Sequence, residues 1–221
     1  EASSLAGTQQ LGNLKVIYDD NRISIDGDTH QTFTEEVSAR YRSYGWNLIE
    51  VQAKTDGDVD RDSLEKAMLS ALEVQDRPTL IRLKTMIAWP APKARNTAKS
   101  HGSALGAEEV AATKVVLGLP SEDFYFPSEV REHLSNLSNR NSANHSAWEK
   151  SFSTWRLANP ERAKLLDRIS SEGLPIEWER KLPSFAPGKE IATRKASGEV
   201  INALAKDLIE LWGGSADLAD S

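Results

Sequence analysis

The chain has 221 residues, of which 39% are hydrophobic and 27% are charged, so it is long enough for one large globular domain or one and a half. Its net charge of −6 gives no general electrostatic reason to expect nucleic acid, and no apolar run approaches the ~20 residues that cross a bilayer. The absence of cysteine excludes disulfides, thiolate metal sites and a cysteine nucleophile, and is compatible with the cytosol.

Strand and helix signals alternate in the N-terminal half of the chain. A helix over residues 2–10 leads to a short apolar run, Leu14–Tyr18, which is typical of a strand buried on both faces of a sheet. Further strands are predicted over Trp46–Val51 and Thr79–Ile87. Because a helix-length segment separates each pair of strands, the pattern predicts consecutive βαβ units and a partial parallel sheet with flanking helices.

The two intervening helices carry start signals. Thr32-Phe33-Thr34-Glu35 resembles a capping box, and apolar residues follow it at helical spacing as far as Tyr44. Asp60 is placed to cap the second helix, whose apolar face begins at Leu64. We therefore predict that the first helix begins near Thr32 and the second near Asp60.

A long aperiodic segment, Ala88–Ala107, follows the third predicted strand. A loop of this length in a compact domain is usually functional or disordered. Another helix is predicted over Ala107–Leu117, where Gly118 and Pro120 close it.

The composition changes after residue 120. Residues 120–190 are rich in Ser, Asn, Pro and charge, which indicates a helical, partly extended linker with helical patches at Glu129–Leu137, Trp148–Leu157 and Glu161–Ile169. A helix over Thr193–Lys206 and a strand over Asp207–Trp212 then predict the start of a second α/β domain.

Polar side chains crowd the end of the first predicted strand, where Asp19, Asp20 and Asn21 follow Tyr18 directly. Ligands of open parallel sheets bind beyond the carboxyl ends of the strands, and oxygen donors of this kind suit Mg²⁺ shared with a phosphate group. Asp and Asn are also common in turns, where they satisfy backbone groups, and the pattern alone favours the turn.

Two other stretches have residues suited to anions. His101 precedes a glycine-flexed turn that opens a helix, so its ring can donate to an anion or a substrate hydroxyl, although an exposed loop histidine is the commoner case. Arg194 and Lys195 lie in the first turn of a predicted helix, where a bound phosphate would offset their unfavourable interaction with the helix dipole. An ordinary solvated pair is the simpler interpretation. Asp217 and Ser221 follow two glycines, which is a weak signal alone.

Five blocks of the chain, in their order and at their spacing, resemble transketolase: EASSLAG, YDDNRISIDGDT, HGSALGAEEVAATK, ATRKAS and GGSADLADS. The resemblance covers essentially the whole chain and is weakest in the linker. It implies a thiamine-diphosphate-binding fold. Residues 1–119 would be the C-terminal half of the diphosphate-binding domain, 120–190 the linker, and 191–221 the start of the pyrimidine-binding domain.

The resemblance also implies roles for individual residues. Asn21 matches a Mg²⁺ ligand that approaches the cofactor diphosphate, and Ile23 matches a residue whose backbone carbonyl binds the same ion. Ile25 matches an apolar residue that packs on the thiamine cofactor. His101 matches a catalytic loop histidine that contacts cofactor and sugar substrate.

Further matches concern the substrate and the assembly. Arg194 and Ser221 match a pair that holds the phosphate group of the sugar, and Asp217 matches a residue of the cofactor and substrate cleft. Glu1 matches an interface glutamate that links the two active sites of a homodimer. The implied enzyme is a cytoplasmic transferase of the pentose phosphate pathway that binds neither nucleic acid nor membrane. It moves a two-carbon ketol unit from a ketose phosphate to an aldose phosphate with thiamine diphosphate and Mg²⁺, which Ca²⁺ can replace.

Several features of the family pattern do not occur in these 221 residues. They are the Gly-Asp-Gly block with another Mg²⁺ ligand, the histidines that precede the present Glu1, and the glutamate that activates the aminopyrimidine. The chain also reads AWPAPKARNTAKS where a glycine-rich run is common, and Ala104 where Pro is frequent. We therefore expect the isolated segment to be inactive and to bind thiamine diphosphate weakly or not at all. Two alternatives stay open: an inactive half or assembly module, and a related ketol or formaldehyde transferase.

Overall fold

The computed structural model describes residues 1–211 and 213–214. The chain divides into two compact units, Glu1–Tyr125 and Phe126–Ser221, called here the first and the second unit. In chain order the first unit contains α1 (Ala2–Thr8), β1 (Lys15–Asp20), β2 (Ile23–Ser24), β3 (Gly27–Asp28), α2 (Val37–Ser43), β4 (Asn47–Val51), α3 (Arg61–Glu73), β5 (Thr79–Lys84) and α4 (Ala107–Val116). Two 3₁₀ turns, Thr29–Gln31 and Ala98–His101, complete it.

A three-stranded parallel sheet organises the first unit. Its order is β1, β5, β4, so the strand that comes last in the sequence lies between the other two. Ile81 of β5 is in register with Ile17 of β1 and with Ile49 of β4. The predicted α/β class, a partial parallel sheet with flanking helices, is confirmed.

The core lies on both faces of β5, which is the most buried strand. Leu80 and Ile81 are each only 1% exposed. One face packs against α3 through Val51, Ala67, Ala71, Ile81 and Leu83, and the other packs against α1 and α2 through Ala6, Val37, Trp46 and Leu80. Burial on both faces was predicted for β1 and is wrong there: Val16 and Tyr18 pack against the cluster that contains Trp46, but Ile17 on the opposite face is 47% exposed.

The helix starts show one correct and one wrong prediction. Asp60 caps α3 as expected, since its carboxylate accepts the backbone N–H of Ser63 at 3.2 Å and its hydroxyl at 2.7 Å. The capping box at Thr32 does not form, because Thr32 ends the 3₁₀ turn and donates its N–H to Thr29. The helix begins later, at Val37, where the carboxylate of Glu36 accepts two backbone N–H groups.

The described part of the second unit is helical and contains α5 (Ser128–Ala158), α6 (Pro160–Ser170), a 3₁₀ turn at Trp178–Lys181, and α7 (Thr193–Leu204). Two of the predicted helical patches are parts of the single 31-residue helix α5. On this helix Trp148 stacks on Phe152, with ring centroids 4.9 Å apart, and Phe152 stacks on Trp155 at 5.7 Å. These contacts at helical spacing support the C-terminal half of α5.

The strand predicted over Asp207–Trp212 is wrong for the residues described there, 207–211, which form turns. Leu208 donates its N–H to Leu204, and Leu211 donates to Leu208. Arg168 of α6 also holds Glu210 in this turn through two hydrogen bonds, at 2.5 and 2.8 Å. The division into residues 1–119, 120–190 and 191–221 stays a prediction. In the part of the chain that the structure describes, no helix is long and apolar enough to cross a membrane.

Candidate functional site

The polar stretch after β1 folds into a small, closed loop. The side-chain Oδ1 of Asn21 accepts the backbone N–H of Ile23 at 2.9 Å, which is the turn that the sequence favoured. Arg22 has a positive φ of 59°, and its carbonyl accepts the N–H of Thr29 at 3.0 Å. Between them β2 and β3 pair as a short antiparallel hairpin. The loop therefore has a defined conformation that presents Asn21 and Ile23 beyond the carboxyl end of β1.

The two acidic side chains at the end of β1, Asp19 and Asp20, are held by partners in the chain. Asp20, whose side chain is 5% exposed, accepts Nε of Arg82 at 2.9 Å, and Nη2 lies at the same distance. Lys84 Nζ lies 3.6 Å from the carboxylate of Asp20, and Arg22 Nε lies 3.8 Å from it. Asp19 accepts the hydroxyl of Thr85. These carboxylates thus shape the loop and the sheet edge.

Charge and burial shift several pKa values at this end of the sheet. Burial raises the pKa of Tyr18, and the negative charge of Asp20 raises it further. Burial lowers the pKa of Lys84, an effect that Asp20 partly offsets. For Arg82, burial lowers the pKa, but the hydrogen bond and charge of Asp20, together with Glu36, raise it overall. Arg82 is therefore a fixed cation, which suits ion pairing and not proton transfer.

The 3₁₀ turn Ala98–His101 lies beside β2, so the structure brings two of the predicted stretches together. His101 ends this turn and is exposed. Ile25, which follows β2 directly, is 74% exposed. Four features thus occur together beyond the end of β1: Asn21, Ile23, the exposed side chain of Ile25 and the turn that contains His101.

Comparison with known proteins identifies the family. The family described as "Transketolase, thiamine diphosphate binding domain" matches residues 1–175. The chain belongs to the transketolase family. It is 48% identical over its whole length to a transketolase of Mycobacterium leprae, of which it covers 31%, and 42% identical to one of Nostoc, of which it covers 33%. The chain therefore spans about a third of the length of these curated relatives.

Solved transketolase structures have the same fold as the chain. A transketolase from Pichia stipitis in complex with sedoheptulose 7-phosphate superimposes with a TM-score of 0.88 at 38% identity, covering 100% of this chain and 32% of that one. A transketolase from Leishmania mexicana gives a TM-score of 0.89 at 36% identity, with the same coverage. The thiamine-diphosphate-binding fold expected from the sequence is confirmed by these matches.

The residues of this transketolase segment fit a shared metal ion only in part. Asn21 Oδ1 accepts one hydrogen bond, which leaves its second lone pair available. Asp19 and Asp20 are engaged by Thr85 and Arg82, and no group of three or more His, Asp or Glu among the described residues could hold a metal ion. Neutral oxygen donors suit Mg²⁺ when anionic ligands complete its shell. The donor set therefore fits a metal ion only where anionic ligands, such as a diphosphate, complete its shell.

The remaining predicted site residues are not brought together with that loop by any described contact. Arg194 is exposed in the first turn of α7, whose N-cap, Ala192, provides no side-chain hydrogen bond. Asp217 and Ser221 lie outside the described residues. Glu1 is exposed and directly precedes α1. The roles that the resemblance implies for these residues stay predictions.

Two residues with clear structural roles at the site were missed from the sequence. Arg82 of β5 holds Asp20 across 62 positions of sequence, and no local pattern indicates such a pair. Glu109 of α4 is 8% exposed and contacts the loop that leads to His101. A local signal for Glu109 did exist, because it shares a helix face with the half-buried Ala112 and Thr113.

Proposed function

We propose that the protein to which this chain belongs is a transketolase that transfers a two-carbon ketol unit from a ketose phosphate to an aldose phosphate. The observation that carries the proposal is the position of the His101 turn beside β2, next to the Asn21 loop, within a matched thiamine diphosphate binding domain. Ligands of open parallel sheets bind at this edge. The sugar phosphates named for the solved neighbours support the same substrate class.

Thiamine diphosphate, when bound, supplies a carbon nucleophile for the donor carbonyl and an electron sink. In our proposal Asn21 Oδ1 and the carbonyl of Ile23 would hold Mg²⁺, or Ca²⁺ in its place, and the ion would in turn neutralise the diphosphate. The exposed side chain of Ile25 packs against the cofactor and excludes water from it. The imidazole of His101 hydrogen-bonds to cofactor and donor sugar, and orients the sugar for reaction.

Recognition of the phosphate group is assigned to Arg194 and Ser221, because a guanidinium offers a bidentate partner to a phosphate. Asp217 is assigned to the cleft for cofactor and substrate, and Glu1 to the interface of a homodimer. Binding energy from the distant phosphate would be used to orient the reacting carbonyl. A cytoplasmic location and a place in the pentose phosphate pathway belong to the same proposal.

The first test uses the full-length enzyme with Asn21→Ala and His101→Ala. Asn21→Ala is expected to weaken thiamine diphosphate binding at a fixed Mg²⁺ concentration, which calorimetry measures directly. His101→Ala is expected to lower kcat/KM for fructose 6-phosphate by about 10- to 100-fold, because a hydrogen bond that orients the substrate is lost. Unchanged cofactor affinity in the first variant and unchanged kcat/KM in the second would contradict the proposed site.

The second test concerns the phosphate. We expect Arg194→Ala in the full-length enzyme to lower kcat/KM for fructose 6-phosphate by about 10- to 100-fold, since a charge-assisted contact is lost. The rate with unphosphorylated fructose should change little. Arg140→Ala, at an exposed arginine of α5, serves as the matched control. Equal effects of Arg194→Ala on the two sugars would exclude a phosphate contact at Arg194.

The isolated 221-residue segment is proposed to be inactive. Asn21 and Ile23 offer neutral oxygen donors, and among the described residues no group of three or more His, Asp or Glu could hold a metal ion without further ligands. The same observation favours the alternative in which the segment alone is an inactive half or an assembly module. Names of relatives and neighbours favour a transketolase over a formaldehyde transferase for the whole protein.

A further inference from the structure

The loop that carries His101 is attached to α4 by a buried carboxylate. Glu109, 8% exposed, accepts the backbone N–H of Lys93 at 2.6 Å and that of Ala94 at 2.8 Å, both on Oε1. No basic side chain lies within ion-pair distance of Glu109 in residues 1–211. Burying a carboxylate is costly unless it is hydrogen-bonded, so these two backbone groups are what stabilise it there.

The same short segment is closed on its other side by hydroxyl groups. The carbonyl of Ala94 accepts the hydroxyl of Thr97 at 2.7 Å and that of Ser100 at 2.6 Å. The backbone N–H of Ser100 also donates to the carbonyl of Thr97 at 3.1 Å. A continuous set of hydrogen bonds therefore runs from the carboxylate of Glu109 through Ala94 to Ser100, the residue before His101.

The loop and the start of α4 are not in close contact throughout. A cavity of about 610 Å³ lies between the loop and the start of the helix, lined by Thr97, Ser100, Leu105 and Ala112 among others. An apolar side chain in place of Glu109 would bury well but would leave two backbone N–H groups without an acceptor. The hydrogen bonds of Glu109 are thus the specific attachment between helix and loop.

We propose that Glu109 is a positioning residue that places His101 beside β2 by fixing the Lys93–Ser100 segment. This inference rests on the role of His101 in the proposed function. The hydrogen bonds of Glu109 go to Lys93 and Ala94, so it acts on the turn through Ala94 and Ser100. Without the carboxylate the turn would sample positions about 1 Å or more from the productive one, which is enough to reduce catalysis strongly.

The first test is hydrogen exchange of the full-length protein without cofactor. Glu109→Ala is expected to accelerate exchange in residues 93–101, because the amides of Lys93 and Ala94 lose their acceptor. Glu109→Gln keeps an acceptor oxygen, so its exchange rates in this segment are expected to stay close to those of the parent protein. Glu108→Ala is the matched control, since Glu108 is an exposed acidic residue of the same first helical turn. Unchanged exchange in Glu109→Ala would overturn the proposal.

The second test separates positioning from general stability by a double-mutant cycle with His101→Ala. Alone, Glu109→Ala is expected to lower kcat/KM by about 10- to 100-fold, with rescue in Glu109→Gln. In the His101→Ala background the same change is expected to cost less than about threefold, because two residues that act as one unit are not additive. Full additivity would overturn the positioning role.

A milder variant covers the case in which Glu109→Ala does not fold. Ser100→Ala removes one hydrogen bond of the same set. It is also expected to lower kcat/KM, and only when His101 is present. Additive costs for Ser100→Ala would overturn the proposal equally. An unchanged kcat/KM in His101→Ala would refute the proposed function of His101, whereas a damaged His101→Ala beside a normal Glu109→Ala would overturn the positioning inference only.

Discussion

Replacing Arg82 by methionine tests how much the ion pair at the end of β1 stabilises the first unit. The Arg82 side chain is 20% exposed and that of Asp20 is 5% exposed, with Nε 2.9 Å from the carboxylate. Methionine keeps much of the apolar stem but removes the guanidinium. The change leaves the carboxylate of Asp20 buried beside β5 without its main partner.

The expected loss follows from what remains around Asp20. Breaking a buried ion pair from one side costs about 3–5 kcal/mol, because the other charge is left uncompensated. Lys84 at 3.6 Å and Arg22 at 3.8 Å still lie near the carboxylate of Asp20. Their positive charges partly compensate its negative charge, so the loss is smaller. We therefore expect Arg82→Met to lower the free energy of unfolding of the first unit by about 2–4 kcal/mol.

Hydrogen exchange of the 221-residue chain is the suitable assay, because the amides of β5 report on opening of the first unit separately from the second. The expected loss corresponds to exchange faster by roughly 30- to 700-fold at these amides. Arg82→Lys keeps a positive charge but loses the planar, bidentate guanidinium. Its exchange rates at the β5 amides should lie between those of the parent and those of the methionine variant.

The matched control is Arg77→Met. Arg77 pairs with Asp76 at 2.6 Å, but the two side chains are 52% and 66% exposed, so no buried charge is left behind. Exchange at β5 should change little in this variant. If Arg82→Met accelerated exchange no more than Arg77→Met, burial of the Asp20 pair would not be what stabilises the sheet edge.

Three further predictions concern a helix cap, two glycines and the metal. The hydrogen bonds from the Ser63 hydroxyl and N–H hold the pKa of Asp60 below its ordinary value of 3.8. The cap therefore stabilises α3 above pH 3.8, and this stabilisation is lost as the pH falls through the pKa of the folded state. Asp60→Ala should accordingly lower the melting temperature at pH 7 but hardly at pH 2, whereas Asp62→Ala, in the same first turn, should have little effect at either pH. Gly7→Ala should lower the free energy of unfolding measured in urea, because its Cβ would lie 1.8 Å from a backbone oxygen. Gly198 lies in open space, so Gly198→Ala should stabilise α7 by at most about 1 kcal/mol. A change of the same sign in the free energy of unfolding of both variants would refute the steric argument. Calorimetry of the 221-residue chain with Mg²⁺ and thiamine diphosphate should show no micromolar binding, and such binding would show that the segment forms a complete metal site.

Locally encoded features were predicted well. The cap of α3 at Asp60 and the span of α4 depend on contacts within one helical turn, so the sequence carries the information needed for both. The start of α2 was misplaced because the pattern at Thr32 does not reveal that a 3₁₀ turn ends there, which leaves the carboxylate of Glu36 to cap the helix. The strand at 207–211 failed for a non-local reason, since Arg168 binds Glu210 in a turn.

The candidate site was predicted as separate pieces. The sequence placed Asn21 after a strand and His101 in a loop, and the resemblance supplied their roles. The two stretches are neighbours because β5, which precedes the loop of His101, pairs with β1, and in our proposal Glu109 fixes that loop in place. Neither contact joins residues close enough in sequence for periodicity or capping patterns to reveal it.

The sequence by itself determined the family, the α/β class and the type of most elements, because these depend on motifs and on short-range periodicity. Only the tertiary structure decided which acidic groups are available. Asp20 is buried and paired with Arg82, 62 residues away, whereas Asp19 accepts the hydroxyl of Thr85 and Asn21 Oδ1 accepts the N–H of Ile23. Ion pairing depends on distances in space, and those distances were set by the order of the strands.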